Sequence, residues 1–314
     1  MNTIFLLSNI KINMNKLISA IVLTYNEEIN LSKCLTSLKK INADIILVDS
    51  YSTDNTLSIG ESFGARIYQN KWVNYSNQFN WAINNTDINT KWILRIDADE
   101  WLDDKLITDI NLKISNLSED ITSIYLNRLA IFEGKPLKYT RFSSKKHLKI
   151  WRTGLGFCQN TWMDEHIIVE NGNSITFNGR LVDENKKNIV EFISKHNTYA
   201  IRESMHYFML KHKKYHVSNF GNKNESSRVV LLRKIYYSYI PKTLRPIFLF
   251  IFEYIICFGF LDGINGFYYC FFQTLFYRSL VEHITSSAND YSKGDYNKIE
   301  EYFFENYGYK INKL

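Results

Sequence analysis

The stretch Trp92-Ile93-Leu94-Arg95-Ile96-Asp97-Ala98-Asp99-Glu100 decides how the rest of the chain is read. Its first half is apolar apart from Arg95 and has the length of a buried strand. Its second half is a run of carboxylates. Two carboxylates at i and i+2, at the end of a buried strand, have the chemistry to hold a hard divalent cation. Such a cation takes oxygen ligands and leaves positions for water and phosphate oxygens. An Asp-x-Asp alone is common on surface turns, so its weight depends on its surroundings.

Upstream, Ile18 to Leu23 is a short β-branched apolar run that ends in the polar loop Thr24-Tyr25-Asn26-Glu27-Glu28. Asn30 to Lys40 has apolar residues at helical spacing: Leu31, Leu35 and Leu38. Ile45 to Val48 is a second buried strand, stopping at Asp49. Thr53-Asp54-Asn55 opens another helix, Ala65 to Tyr68 is a short strand, and Tyr75 to Asn84 is helical. Strands alternating with helices predict an α/β domain with a mostly parallel, Rossmann-like sheet flanked by helices on both faces. Ligands collect at the carboxyl ends of such strands. The Thr24 loop, Asp49 and the Asp97/Asp99 pair all fall there. No Gly-x-Gly-x-x-Gly and no P-loop follows the first strand. A metal at Asp97 and Asp99 would then replace the glycine cradle as the handle for a nucleotide's phosphates.

These segments resemble, in order and spacing, the successive motifs of the family 2 glycosyltransferases, which have the GT-A fold. The residues that carry the likeness are Ala20 to Glu28, Leu47 to Thr56 and Asp97 to Glu100. Further on, Trp162 to His166 and Lys195-His196-Asn197-Thr198-Tyr199-Ala200-Ile201-Arg202-Glu203 resemble the branch of that family that builds bacterial lipopolysaccharide and exopolysaccharide. Gly259 to Gly263 fits the same branch. The resemblance implies an inverting hexosyltransferase that moves a sugar from a nucleotide-sugar donor to a glycan or polyprenyl-linked acceptor. It implies that Thr24, Tyr25, Asn26, Glu27 and Asp49 hold base and ribose, and that Asp97 sits near ribose and diphosphate. Asp99 would ligate Mn2+ or Mg2+, and His166 would assist at the metal or the diphosphate. The base would be a carboxylate in the acceptor half: Glu165, with Asp164 in reserve. The chain departs from the family pattern at Asp49-Ser50-Tyr51, where many relatives have Asp-Asp-Gly. It departs again at Phe79, where a basic residue is frequent. Both bear on donor identity.

Other residues read more plainly. His196, Tyr199 and Glu203 share helical spacing with Ile193 and Ala200, which favours packing over catalysis. Lys195 and Arg202 are placed equally well for phosphate or for solvent. Most of Trp72, Trp81, Trp92 and Trp101 are expected in the core.

From Ile121 to Val182 the pattern is short and strand-like, and Ile189 to His206 is helical. Between His206 and Pro246 nine Lys/Arg stand against one acid, Glu225, and the most apolar stretches follow: Ile247 to Leu261 and Phe267 to Val281. With 45% hydrophobic and 15% aromatic residues among 314, rings are plentiful beyond the needs of a core. Each stretch is shorter than the ~20 apolar residues of a membrane span. The combination predicts helices lying at a membrane surface rather than binding to nucleic acid. Residues 1–16 hold a short apolar patch, Ile4 to Leu7, too little for a signal peptide. The four scattered cysteines suit a reducing compartment. The expected organisation is an N-terminal extension (1–16), a GT-A domain (17–204) and a C-terminal helical, aromatic-rich membrane-associating extension (205–314). The expected place is cytoplasmic, peripheral on the inner face of the cell membrane. Two rivals differ in class. A sugar nucleotidyltransferase would carry a glycine-rich basic loop after the first strand, which is absent. A non-catalytic, membrane-bound sugar-binding protein would not need the intact acidic pairs.

Overall fold

The computed structural model describes residues 16–140, 145–161, 163, 165–212, 236 and 239–310. Strands β1 (Ile18–Thr24), β2 (Asp44–Asp49), β3 (Arg66–Gln69) and β4 (Trp92–Asp97) alternate with helices α1 (Leu31–Lys40), α2 (Thr56–Ser62) and α3 (Tyr75–Asn85). They are followed by β5 (Glu100–Leu102), α4 (Asp104–Lys113), β6 (Ile121–Phe132), β7 (Lys135–Pro136) and β8 (Lys146–Arg152). Next come β9 (Gly156–Cys158), β10 (Ile167–Val169), β11 (Asn173–Thr176) and β12 (Leu181–Glu184). The C-terminal helices are α5 (Ile189–Lys211), α6 (Arg245–Ile251), α7 (Gly263–Cys270), α8 (Tyr277–Ser292) and α9 (Tyr296–Tyr307).

The main sheet has the order β3-β2-β1-β4-β8-β6-β12-β5, with β7 and β11 also paired to β6. Strands β3, β2, β1 and β4 are parallel. The sheet is thus the mixed, mostly parallel α/β arrangement expected, with β8 inserted antiparallel between β4 and β6. Its outermost strands are short, four residues in β3 and three in β5.

Strands β1, β2 and β4 bury both faces, which is why their runs are almost continuously apolar. Ala20, Val22, Ile45, Leu47, Leu94 and Ile96 face one core with α1 and α4. Ile21, Ile46, Val48 and Ile93 face the other, with Phe79 and Ala82 of α3. Helix α1 sets Leu31, Cys34, Leu35 and Leu38 inward at i, i+3, i+4 and i+7. Each of its leucines is worth roughly 1.5–3 kcal/mol when fully buried.

Helix α5 starts in a capping box formed by Asn188 and Glu191 and runs on past residue 204. The boundary expected at 204/205 therefore falls inside one helix. Its later turns, with Met205, Phe208 and Met209, pack on Val281, Ile284, Ala288, Ile299 and Phe303 of α8 and α9. A smaller cluster joins the sheet to the C-terminal helices: Ala130, Phe132, Leu137 and Tyr269, with Ile189, Phe192 and Phe272 against it. The leading residues and most of the basic block lie outside the described residues.

Candidate active site at the carboxyl ends of the strands

The loops after β1 and β2 are bound to each other. Thr24 Oγ1 donates to Asp49 Oδ1 at 2.9 Å. The Ser52 backbone N–H and hydroxyl donate to the same carboxylate at 2.8 and 2.5 Å. The Asn26 N–H donates to Ser52 Oγ, and Asn26 Oδ1 accepts from the Thr53 N–H, both at 2.8 Å. The Glu27 N–H donates to Thr56 Oγ1 at 2.8 Å. Asn26 and Tyr51 are held in the left-handed region, at φ 52° and 63°. Non-glycine residues enter it only where the surroundings fix them. Asp49 is fully buried, and its carboxylate is committed to these hydrogen bonds. It fastens the two loops, while Tyr25 and Tyr51 stand 57% and 56% exposed at their tips. Glu27 pairs with Lys187 Nζ at 2.7 Å and accepts from Asn30 Nδ2 at 2.8 Å.

The carboxylates after β4 sit in a ring of cations. Asp97 accepts from the Tyr75 hydroxyl and lies 3.8 Å from Lys149 Nζ. Burial alone would raise its pKa, but Lys149, Arg95 and the Tyr75 hydrogen bond hold it down at about 2. Asp99 meets Lys195 Nζ at 3.7 Å. Burial, with Asp183, Asp97 and Glu27 nearby, pushes Asp99 up to about 6 against the pull of Lys195. Glu100 points inward, accepts from the Asp97 N–H at 3.0 Å and pairs with Lys149 at 2.7 Å. Burial raises it to about 7 in spite of that lysine.

Lys149 owes its reach to a break in register. Ile150 pairs with Ile124 and Leu148 with Tyr125, which leaves Lys149 as the extra residue of a β-bulge. Bulges re-aim side chains in this way.

The donor set fits a hard divalent cation. Two carboxylate side chains are offered at a strand end, and Asp99 is buried there with Asp183, Asp97 and Glu27 nearby, so a cation would offset both its lost hydration and the neighbouring carboxylates. Among the described residues no group of three histidine, cysteine or carboxylate side chains converges to hold a metal. The remaining positions would fall to water and phosphate oxygens.

Glu165 is tied to this cluster through Arg95. The Arg95 guanidinium donates to the Glu165 backbone oxygen at 3.1 Å and lies 3.4 Å from its carboxylate. It also stacks over the Tyr75 ring at 4.2 Å. Phe79 packs beneath Tyr75, fully buried against Trp151, so the positive charge in that neighbourhood belongs to Arg95. His166 is exposed, on the entry to β10. Asp164 lies outside the described residues, as does Trp162.

His196 is a structural histidine. The carbonyl of Phe192 only accepts, so Nδ1 carries the proton at 2.8 Å, and Nε2 accepts from the Gln273 amide at 3.0 Å. Glu203 is occupied by Tyr277 and Arg278. Lys195, left between phosphate and solvent by its sequence position, reaches Asp99. Its pKa is raised by Tyr199 and then by Asp99. Lys149, Arg95, Tyr75 and Lys187 were not singled out as site residues by sequence reasoning. A basic residue in the middle of an apolar strand, as in Lys146-His147-Leu148-Lys149-Ile150-Trp151, was the available signal for Lys149.

Residues 19–169 match the sequence model described as glycosyl transferase family 2. Over that stretch the mixed α/β region of the chain is similar to the family 2 glycosyltransferases. An uncharacterized glycosyltransferase of Rickettsia bellii is 36% identical over 118 residues, 38% of this chain and 40% of that protein. The matches in Rickettsia conorii and Rickettsia felis cover 47% and 45% of those proteins, so the likeness spans less than half of these relatives. The lipopolysaccharide core biosynthesis glycosyltransferase LpsC of Rhizobium meliloti is 28% identical over 189 residues, 58% of this chain and 68% of LpsC. Among solved structures, S. aureus TarS 1–349 in complex with UDP covers 87% of this chain and 91% of its own, at 14% identity and a TM-score of 0.38.

Proposed function

We propose that this chain is an inverting, metal-dependent hexosyltransferase. It takes a sugar from a nucleotide-sugar donor and delivers it to a glycan or polyprenyl-linked acceptor in bacterial surface polysaccharide assembly. The observation that carries the reading is the Asp97/Asp99 pair at the carboxyl end of β4, beside the Thr24 loop of β1, in a sheet without a glycine cradle. The likeness to LpsC supports lipopolysaccharide as the product class. The basic block before Pro246 supports work at the cytoplasmic face of the cell membrane.

The donor's nucleoside would lie across the Thr24–Glu27 loop, with Tyr25 and Tyr51 offering rings to the base. Its diphosphate would face Asp97 and Asp99. Mn2+ or Mg2+, held by Asp99 with Asp97 and assisted by His166, would neutralise charge on the departing diphosphate. Lys195 brings a protein cation to the same place. Glu165, aimed by Arg95, takes the proton of the acceptor hydroxyl. That oxygen attacks the anomeric carbon opposite the leaving phosphate, the bond to phosphate breaks, and configuration inverts.

The test is turnover of UDP-, GDP- and ADP-sugars by purified protein with and without Mn2+. One donor class is hydrolysed or transferred, and chelation abolishes the activity. Asp99→Ala and Glu165→Gln each lower turnover by about 10²-fold or more with an unchanged circular dichroism spectrum. Wild-type turnover in either variant overturns the assignment.

A further inference from the structure

The segment from Ile247 to Ile264 is inside-out. Phe248, Ile251, Ile255, Ile256, Phe258 and Leu261 stand 43 to 59% exposed. The two charged residues of the segment turn the other way. Glu253 is fully buried. Asp262 accepts from the backbone N–H groups of Lys138, Tyr139 and Thr140 at 2.9, 3.0 and 3.3 Å. Asn265, just beyond, donates to the Phe132 carbonyl at 3.0 Å. A helix pair facing water shows the opposite polarity. A protein-binding face would carry a polar rim around its apolar centre. Here apolar side chains continue around the corner.

Shape and charge select the occupant. The chain bends by 70° between Lys242–Ile256 and Gly259–Ser292. The bend is fixed by Phe258 in the left-handed region and by Gly266 against Gly259, where an added Cβ would lie 2.2 Å from the Gly259 oxygen. The first arm is about 22 Å long at 1.5 Å per residue, against about 30 Å of hydrocarbon in a bilayer. Among the described residues no single helix is long and apolar enough to cross a membrane. Tyr239, 79% exposed, and Lys242 stand at the entrance to the first arm. They are interfacial anchors by type. They belong to the block between His206 and Pro246, whose nine Lys/Arg against one acid complement anionic headgroups.

We propose that the elbow over 247–264 inserts into one leaflet of an anionic phospholipid bilayer, its corner at Phe258 reaching the acyl chains without crossing. The inference is independent of the transferase chemistry. Asp262, bound to the backbone of 138–140, fastens the inserted elbow to the sheet domain.

The test uses the full chain with Phe258→Cys carrying an environment-sensitive fluorophore, in a Cys257→Ser background, and vesicles of phosphatidylethanolamine and phosphatidylglycerol. The label on Leu112→Cys, at a site 68% exposed on α4, is the control. The expected result is a blue shift at 258 alone, quenched by nitroxides deep in the acyl chains and persisting in high salt. Phe258→Asp with Leu261→Asp lowers vesicle partitioning by about tenfold or more. It leaves hydrolysis of a soluble donor unchanged. Three results overturn the proposal: no shift with vesicles, quenching only from the headgroups, or a label already shielded without lipid by a second copy of the chain. Loss of vesicle insertion with donor turnover intact removes this inference alone. Loss of turnover with insertion intact removes the catalytic reading alone.

Discussion

Lys149 bears on both stability and chemistry. Its ammonium is 7% exposed and pairs with Glu100, 5% exposed, while lying near Asp97. Breaking a buried pair by removing one partner leaves an uncompensated charge, at about 3–5 kcal/mol. Lys149→Met is therefore expected to lower the denaturation midpoint sharply. Lys149→Met with Glu100→Gln should recover most of the loss. Equal destabilisation of the single and double variants in urea titrations would show that Glu100 is not the partner that matters. The acidic half of this cluster was legible because Asp97 and Asp99 end an apolar run. Its basic half was not. Lys149 acts through a bulge that no local pattern announces, and Arg95 reads as one odd residue in a strand until Tyr75 and Glu165 are seen on either side. Asp49 was legible as important, but only the structure shows its carboxylate bound to Thr24 and Ser52 within the protein.

The elements of the first hundred residues were the most legible, because both faces of β1, β2 and β4 are buried and the helices between them are amphipathic. Departures have local causes. The helix expected to open at Thr53 begins at Thr56, since Thr53 and Asp54 are engaged with the neighbouring loop: the Thr53 N–H with Asn26, and the Asp54 carboxylate with the N–H of Glu28 and of Thr56. The antiparallel entry of β8 between β4 and β6 is a long-range pairing, and periodicity carries no partner information. The elbow was legible in composition but not in shape. Its corner depends on two glycines meeting across the bend, and Gly266→Ala is expected to cost about 1–3 kcal/mol by forcing them apart. Thermal unfolding of the purified variant checks this. An unchanged midpoint would mean that the bend relaxes freely and is not set by that contact.

At the scale of the molecule, the main sheet and the C-terminal helices share side chains. Phe132 of β6 meets Phe192 of α5 and Tyr269 of α7, each with ring centroids 5.5 Å apart. One calorimetric transition is expected for the whole chain rather than two. Deleting residues 245–310 should lower the midpoint of what remains, because Phe132 and Phe192 lose their cover. A truncated chain melting at the full-length temperature would show two independent units. The short outer strands of the sheet matter in a different setting. A protein held on a bilayer is confined to two dimensions, where its effective concentration is high and encounters between copies are frequent. Long flat sheet edges would then template strand addition from one copy to the next. With four residues in β3 and three in β5, the sheet offers little to copy. Under the proposed leaflet insertion, crowding on a membrane would therefore concentrate these molecules without fusing their sheets.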